Sequence, residues 1–382
     1  MIRRICASHF RSLGKDVTLD LGDLTVLVGQ NGAGKSNMID ALVFLADCMQ
    51  IGLEGAITKR GGIQTIRHAG TQGRPFDVVL RVEVCRDDVE ADYEIILTGD
   101  SIEQYRVKRE RGKVRRKNTS NEFVVEAGTW LHGPLDLQPR VDASSLALPL
   151  LAGDRRFNPL AEILRSVTSY SVFPDELRRL HKYDPKRPMD RHGTNWVSIL
   201  KDQEMDSWKP DLVTVLRKLT GDIVDMKFEH AAGFLFMQFR HEQDAKAKRK
   251  QWFEAGQESD GTLRVAGILT ALLQQPRPAL IAIEEPELTV HPGALRLLCD
   301  YIREGSSAGQ VLLTTHSPDL LTLLNASEVR VVQRVDNKTT VAPLEESQRE
   351  VVTRGLFSLG EIMRSEGLRP AQLSLPLEED AT

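Results

Sequence analysis

The sequence predicts an α/β fold, and three stretches predict it. An apolar run, residues 24–28, leads into Gly29-Gln30-Asn31-Gly32-Ala33-Gly34-Lys35-Ser36, and residues 37–49 leave it with helical spacing. A second run, 279–283, stops abruptly at Glu284, Glu285 and Glu287. A third, 311–313, ends in Thr314-Thr315-His316-Ser317-Pro318. Short runs of unbroken apolar residues suit strands buried on both faces of a sheet. Sheets of that kind bind ligands in the crevice at their strand ends.

The first stretch has the spacing G-x-x-x-x-G-K-[ST] in a strand–loop–helix setting, which gives the match its meaning. Its glycines let successive backbone N–H groups curl around an anion, and the following helix adds the positive end of its dipole. Gly29, Asn31, Gly32, Gly34, Lys35, Ser36 and Asn37 are therefore the expected nucleotide-binding residues. Lys35 is expected to reach the β- and γ-phosphates, and Ser36 to hold Mg²⁺. Hydrolysis also needs a carboxylate at the metal and a group that handles the attacking water. Glu284 is expected in the outer sphere of the Mg²⁺, where Asp is the commoner residue. Glu285 points the other way along the strand and is the expected general base. Glu287 is expected to cap a helix or to form an ion pair.

Two weaker elements complete the set. Glu258-Ser259-Asp260-Gly261-Thr262 precedes an apolar helix that runs to about Leu273. Alone it reads equally as an ordinary helix cap, and a lone His316 reads equally as a structural residue. Their order is more specific: phosphate loop, Ser-Asp-Gly helix, acidic strand end, then histidine. In this order the chain resembles the ABC-type ATPases. Ile5-Cys6-Ala7-Ser8-His9-Phe10-Arg11-Ser12-Leu13, with Glu284-Glu285-Pro286-Glu287 and His291-Pro292, resembles their SMC/RecF/OLD-like branch. The resemblance covers about residues 1–50 and 255–335.

The resemblance implies a P-loop NTPase head of ABC type, with a β-rich lobe and a helical insertion. It implies ATP as substrate, Mg²⁺ as cofactor, and a homodimer or higher oligomer closed around ATP. Ser259, Asp260 and Gly261 would face the γ-phosphate held by the opposite protomer, a helix N-terminus serving as an anion site in trans. Glu285 and His316 would be catalytic, His316 meeting the γ-phosphate or the water in cis. The family's Q-loop glutamine has no counterpart with matching flanks; Gln72, Gln104 and Gln138 all lie in its region.

The rest of the chain reads as one ATPase head over residues 1–370. Within it, 1–75 hold the phosphate loop, 76–150 the β-rich lobe, 151–255 a helical and β insertion, and 256–345 the signature, acidic strand and histidine. Alternation at Val78, Leu80, Val82 and Val84 opens a half-buried antiparallel sheet. Strands are expected over 76–84, 91–97, 102–107 and from Lys113, then helices over 157–220 and strands over 223–229 and 234–240. No heptad run long enough for a coiled coil occurs. The acidic tail 371–382 is expected to fray.

A charged fraction of 27% and a hydrophobic fraction of 41% suit a globular protein with a sizeable core. No stretch approaches twenty apolar residues, and residues 1–10 are basic without the apolar centre of a signal peptide, so no membrane partner is expected. Four scattered cysteines fit a reduced, cytoplasmic setting. Arg106, Lys108, Arg109, Arg111, Lys113, Arg115, Arg116 and Lys117 crowd one stretch, with Gly112 as the expected hairpin turn. Such a patch could contact duplex DNA through its phosphates, as could the second basic run, Lys246 to Lys250. The alternative is a solvated hairpin whose charges discourage edge pairing.

About sixty-six residues follow His316, fewer than the nuclease domain that OLD-type proteins append. A nuclease or other effector is therefore expected on a separate chain. The expected role is an ATPase that gates such an effector in anti-phage defence. A RecF-like repair ATPase and a slowly hydrolysing scaffold are the alternatives; a transporter energiser is disfavoured by the long insertion.

Overall fold

The computed structural model describes residues 1–68, 76–101, 103–242 and 251–371. Gln72, the second basic run and the tail beyond residue 371 lie outside the described residues. The centre of the fold is a six-stranded sheet. Its order is Lys338–Pro343, Val329–Val335, Leu24–Val28, Gln310–Thr315, Leu280–Glu284, Val167–Tyr170. Every neighbouring pair is parallel except the first, which is an antiparallel edge hairpin.

Side-chain alternation explains why these strands are so apolar. Leu27, Leu280, Ala282 and Leu312 enter the core on one face. Val26, Val28, Ile281, Ile283, Val311 and Leu313 enter a second core on the other. Successive residues point to opposite faces, so a sheet covered on both sides must be apolar at every position.

The helix Lys35–Thr58 covers the first face, and beneath it lies a seven-stranded antiparallel sheet. That sheet runs Val17–Asp20, Ile2–Ser8, Val78–Arg86, Val89–Thr98, Arg106–Arg116, Thr119–Glu126, Thr129–His132. The first strand of the chain thus pairs with the β-rich lobe rather than with the parallel sheet. The helix Asp260–Leu273 covers the second face, beside Met205–Thr220 and a small sheet built on Ile223–Ala231 and Phe234–His241. By length and composition Lys35–Thr58 could span a membrane, but it packs inside the protein and breaks its helical geometry at Gly52.

One expectation is corrected here. Gly112 is not a turn: Arg106–Arg116 is one continuous strand, and the hairpin reverses at Lys117 and Asn118. A Cβ at Gly112 would lie 2.3 Å from the Phe123 ring, so glycine serves there to let an aromatic ring pack on the strand. The basic residues of this strand meet carboxylates on its neighbours. Arg111 and Lys113 pair with Glu122, Arg115 with Asp92, Lys108 with Asp77, Arg106 with Asp100 and Arg109 with Glu126.

The inner face of the same strand carries Glu110, fully buried. It accepts hydrogen bonds from Tyr93 Oη at 2.8 Å, from Leu148 N at 2.9 Å and from Ala147 N, tying the lobe to the start of the helical region. Burial outweighs these bonds and pushes its carboxyl up to about 7. A buried acid with a raised pKa holds a proton that the unfolded chain has released, so its contribution to stability falls as pH rises from about 4.5 to about 7. Glu110→Gln removes that titration. The stability of the native protein relative to E110Q is expected to drop by about 3 kcal/mol across this interval, read by urea unfolding at a series of pH values. A constant difference would show that Glu110 does not titrate there.

Candidate functional site

Register brings the three motifs together. Val28 pairs with Thr315, and Glu284 with Thr314, so the loops leaving these strands open on one edge of the sheet. The phosphate loop wraps at that edge. Gly32 and Gly34 adopt φ of 77° and 106°, which L side chains rarely reach. A Cβ at Gly34 would collide with Thr339 Oγ1, and one at Gly29 with the Val332 carbonyl. At Gly32, by contrast, nothing lies within 4 Å, leaving the loop's concave side open. The loop lines a pocket of about 680 Å³ with Val28 to Ala33, His316 and Val331 to Arg334.

Lys35 curls inside this loop. Its ammonium donates to the carbonyls of Gly29 at 2.7 Å and Gln30 at 3.1 Å. Burial lowers its pKa, against the opposing pull of Glu285 and Glu287. Asn37 directs its amide to Ser12 Oγ at 2.6 Å, and Ser12 Oγ lies 2.7 Å from Thr339 Oγ1. Thr339 in turn donates to the Ala33 carbonyl at 2.8 Å. Asn37 therefore holds the loop from behind rather than facing the pocket with its amide.

Ser36 Oγ donates to Glu284 Oε2 at 2.6 Å. This pairs a hydroxyl and a carboxylate from motifs 248 residues apart. Hard oxygen donors of this sort suit Mg²⁺, which takes one or two protein oxygens and fills its octahedron with phosphate and water. Among the described residues no group of three or more His, Cys, Asp or Glu placed to hold a metal occurs. The second oxygen of Glu284 already accepts from a cation, Arg191 Nη2, at 2.6 Å. The donor set therefore fits a bound cation.

Glu285 sits just past the strand with φ of 47°, a left-handed conformation that is strained for a residue bearing a side chain. The turn is held by its N–H, which donates to the Thr314 carbonyl at 3.0 Å. Its Oε1 lies 3.0 Å from His316 Nδ1. Glu287 departs from expectation: it neither caps a helix nor pairs with a cation. It is buried, accepts from Thr315 Oγ1 at 2.5 Å, and has no partner for Oε2 among the described residues. Burial raises its pKa.

The signature residues lie elsewhere. Ser259 caps the helix Asp260–Leu273, accepting from Thr262 N at 3.1 Å, and Asp260 pairs with Arg178. A Cβ at Gly261 would stand 2.7 Å from the Thr289 carbonyl. Ser259 and Gly261 line a second pocket, of about 340 Å³, which shares no residue with the pocket of the phosphate loop. The two halves of the expected ATP site are thus apart within one protomer.

Sequence reasoning missed two arginines. Arg191 reaches Glu284 from the long segment after the edge strand. Arg264 is buried in the signature helix and donates to Val172 O at 2.9 Å and Glu285 O at 3.0 Å. Its signal was present, a single charge between Leu263 and Val265 in an otherwise apolar helix. Arg191 carried no local signal.

Comparison with known proteins agrees with this geometry. Residues 24–322 match the family described as "AAA domain, putative AbiEii toxin, Type IV TA system". An OLD nuclease of Thermus scotoductus is 23% identical over 392 residues, spanning 94% of this chain and 68% of that protein. An Smc head bound to the C-winged helix domain of ScpA aligns with a TM-score of 0.56 at 14% identity, covering 91% of this chain and 99% of its own. A second Smc head with an extended coiled coil, bound to the C-terminal domain of ScpA and derived from Pyrococcus furiosus, also aligns at 0.56. It is 12% identical and covers 93% and 99% of the two chains. The chain belongs to this AAA family and has the P-loop NTPase fold, and it is similar to an OLD nuclease and to Smc heads.

Arg264 joins the signature helix to the turn that carries Glu285, and a planar guanidinium is needed to reach both carbonyls. Arg264→Lys keeps the charge but leaves one buried carbonyl without its donor. It is expected to lower unfolding stability by about 2 kcal/mol or more, read as a reduced urea midpoint at unchanged slope. An unchanged midpoint would remove Arg264 from the account of how the site is held.

Proposed function

We propose that this AAA-family protein binds and hydrolyses ATP, closes as a dimer around it, and so gates a separately encoded effector, such as a nuclease, in anti-phage defence. The observation that carries the reading is the convergence of Lys35, Ser36, Glu284, Glu285 and His316 on one sheet edge, with Ser259 and Gly261 held apart. Nothing lies within 4 Å of a Cβ built at Gly32, which leaves room for a further donor beside those of His316 and Arg334. A second protomer would supply one, the capped N-terminus of the signature helix.

In this reading Gly29, Asn31, Gly32 and Gly34 present backbone N–H groups to the phosphates, and Lys35 leaves its carbonyls for the β- and γ-phosphates. Ser36 and Glu284 would hold Mg²⁺, which neutralises charge on the phosphates. Glu285 accepts the proton of the attacking water, and His316, hydrogen-bonded to it, fixes its direction. The strained turn at Glu285 aims the carboxylate before substrate arrives.

The likeness to an OLD nuclease, and a family description that names a toxin system, support an effector role over housekeeping repair. The Arg106–Arg116 strand supports DNA contact less, because its cations already meet carboxylates within the sheet. The four cysteines are free thiols, which supports a reducing, cytoplasmic setting.

Glu285→Gln keeps the shape of the site and removes the base. It is expected to lower turnover by about 10²- to 10⁴-fold while nucleotide still binds, and to trap an ATP-dependent dimer visible by native mass. Purified from its native operon in that state, it should carry its effector; a bare dimer that binds duplex DNA would favour a RecF-like role. Slow turnover that the substitution leaves unchanged, with assembly also unchanged, would favour a scaffold.

The composite site has its own test. Lys35→Ala and Ser259→Arg should each be inactive alone. Mixed, they should regain activity, because one site of the mixed dimer joins an intact phosphate loop to an intact signature. No recovery on mixing, with both variants folded, would place Ser259 outside the site.

A further inference from the structure

The long segment between the edge strand Val167–Tyr170 and residue 195 touches the metal-site carboxylate and both ends of the signature helix. At its start Ser171 N–H donates to the Arg191 carbonyl at 2.8 Å, and the Val172 carbonyl accepts from Arg264 at 2.9 Å. In its middle Arg178 donates to the Glu258 carbonyl at 3.1 Å and pairs with Asp260, at the N-terminus of the signature helix. Near its end Met189 N–H donates at 2.8 Å to Gln274, which caps the C-terminus of that helix.

Arg191 is presented on a fixed base. The neighbouring Asp190 Oδ1 accepts from the N–H groups of His192, Gly193 and Thr194 at 2.9, 2.8 and 3.0 Å. From this base its guanidinium donates to Glu284 Oε1 at 2.6 Å, while Glu284 Oε2 accepts from Ser36. Half of the Arg191 side chain is exposed, whereas Glu284 is largely covered. The arginine therefore has somewhere to go and the carboxylate does not.

We infer that Arg191 is a stand-in for the metal: it neutralises Glu284 while the nucleotide site is empty and gives the carboxylate up when Mg²⁺ binds with ATP. A guanidinium and a divalent cation on one carboxylate repel one another, so each weakens the other's hold on Glu284. The release of the Arg191 side chain removes one tie of a segment whose other contacts hold the signature helix. Metal occupancy in cis is thereby linked to the surface offered to a partner protomer, the role for which no glutamine was found in the sequence. The exchange of Arg191 for Mg²⁺ rests on the nucleotide-site reading and not on hydrolysis; its link to a partner protomer rests also on the proposed dimer.

The test is a Mg²⁺ titration of binding of a fluorescent, non-hydrolysable ATP analogue to the full chain, with Arg191→Ala and Arg191→Lys beside the native protein. Removing the competitor should lower the half-saturating Mg²⁺ concentration by about threefold or more in R191A, and by a smaller factor in R191K, whose ammonium retains one donor. Binding without Mg²⁺ should fall in R191A, where Glu284 is left uncompensated beside the phosphates, and the urea midpoint of each variant reports an intact fold. An unchanged Mg²⁺ requirement in both variants would overturn the inference. So would a raised one, which would make Arg191 a prop that orients Glu284 for the metal. A native protein whose nucleotide binding ignores Mg²⁺ would sink the nucleotide-site reading itself, and this inference with it.

Discussion

A parallel sheet buried on both faces leaves its strand ends as the place where this protein can expose polar chemistry. Everything in the candidate site follows from that constraint. Leu24–Val28, Leu280–Glu284 and Gln310–Thr315 are apolar because helices and a second sheet cover them. Their parallel register then delivers the phosphate loop, the glutamates and His316 to one edge. A shift of one residue in the pairing of Leu280–Glu284 would put either Ile283 or Glu285 where Glu284 stands. The same burial that stabilises the fold therefore sets the geometry of the chemistry.

Without ligand, most charges at this edge are satisfied by the protein itself. Lys35 rests on two carbonyls, Glu284 on Ser36 and Arg191, and Glu285 on His316. Each of these contacts opposes substrate to a small degree, since it must be exchanged for a phosphate, a metal or a water. Hydrogen bonds exchanged one for one cost little net free energy, so such a site can remain folded when empty and still bind. Glu287 is the exception. One of its oxygens is buried beside the site and unpartnered among the described residues, and burial raises its pKa in consequence.

The parts of the site carried by contiguous residues were legible in the sequence. The phosphate loop, the run ending at Glu284 and Glu285, and the Ser-Asp-Gly cap each combine a local pattern with its own chemistry. What failed was pairing across distance. Gly112 read as a turn because charges flank it, but the Phe123 ring that occupies the space beside it comes from the next strand. The basic stretch read as a phosphate-binding patch because Asp77, Asp92, Asp100, Glu122 and Glu126 are spread through the sequence. Antiparallel register folds those carboxylates back beside the arginines. Arg191 and Glu284 are 93 residues apart, and nothing short of the fold joins them.

The ties of the signature helix explain why a protein of this kind would place arginines where sequence patterns give no hint. Arg264 binds the helix to the backbone of the Glu285 turn, and Arg178 binds its N-terminus to the segment that ends at Arg191. Guanidinium groups suit such work, because each can hold two acceptors in one plane while remaining charged. The helix is otherwise packed through apolar contacts, which resist separation but do not fix a direction. The directional bonds of Arg264 and Arg178 lead to the acidic strand end and to the segment beside it. A change at Glu284 or Glu285 therefore reaches first, through Arg264 and through Arg191 and its segment, the helix that Ser259 caps.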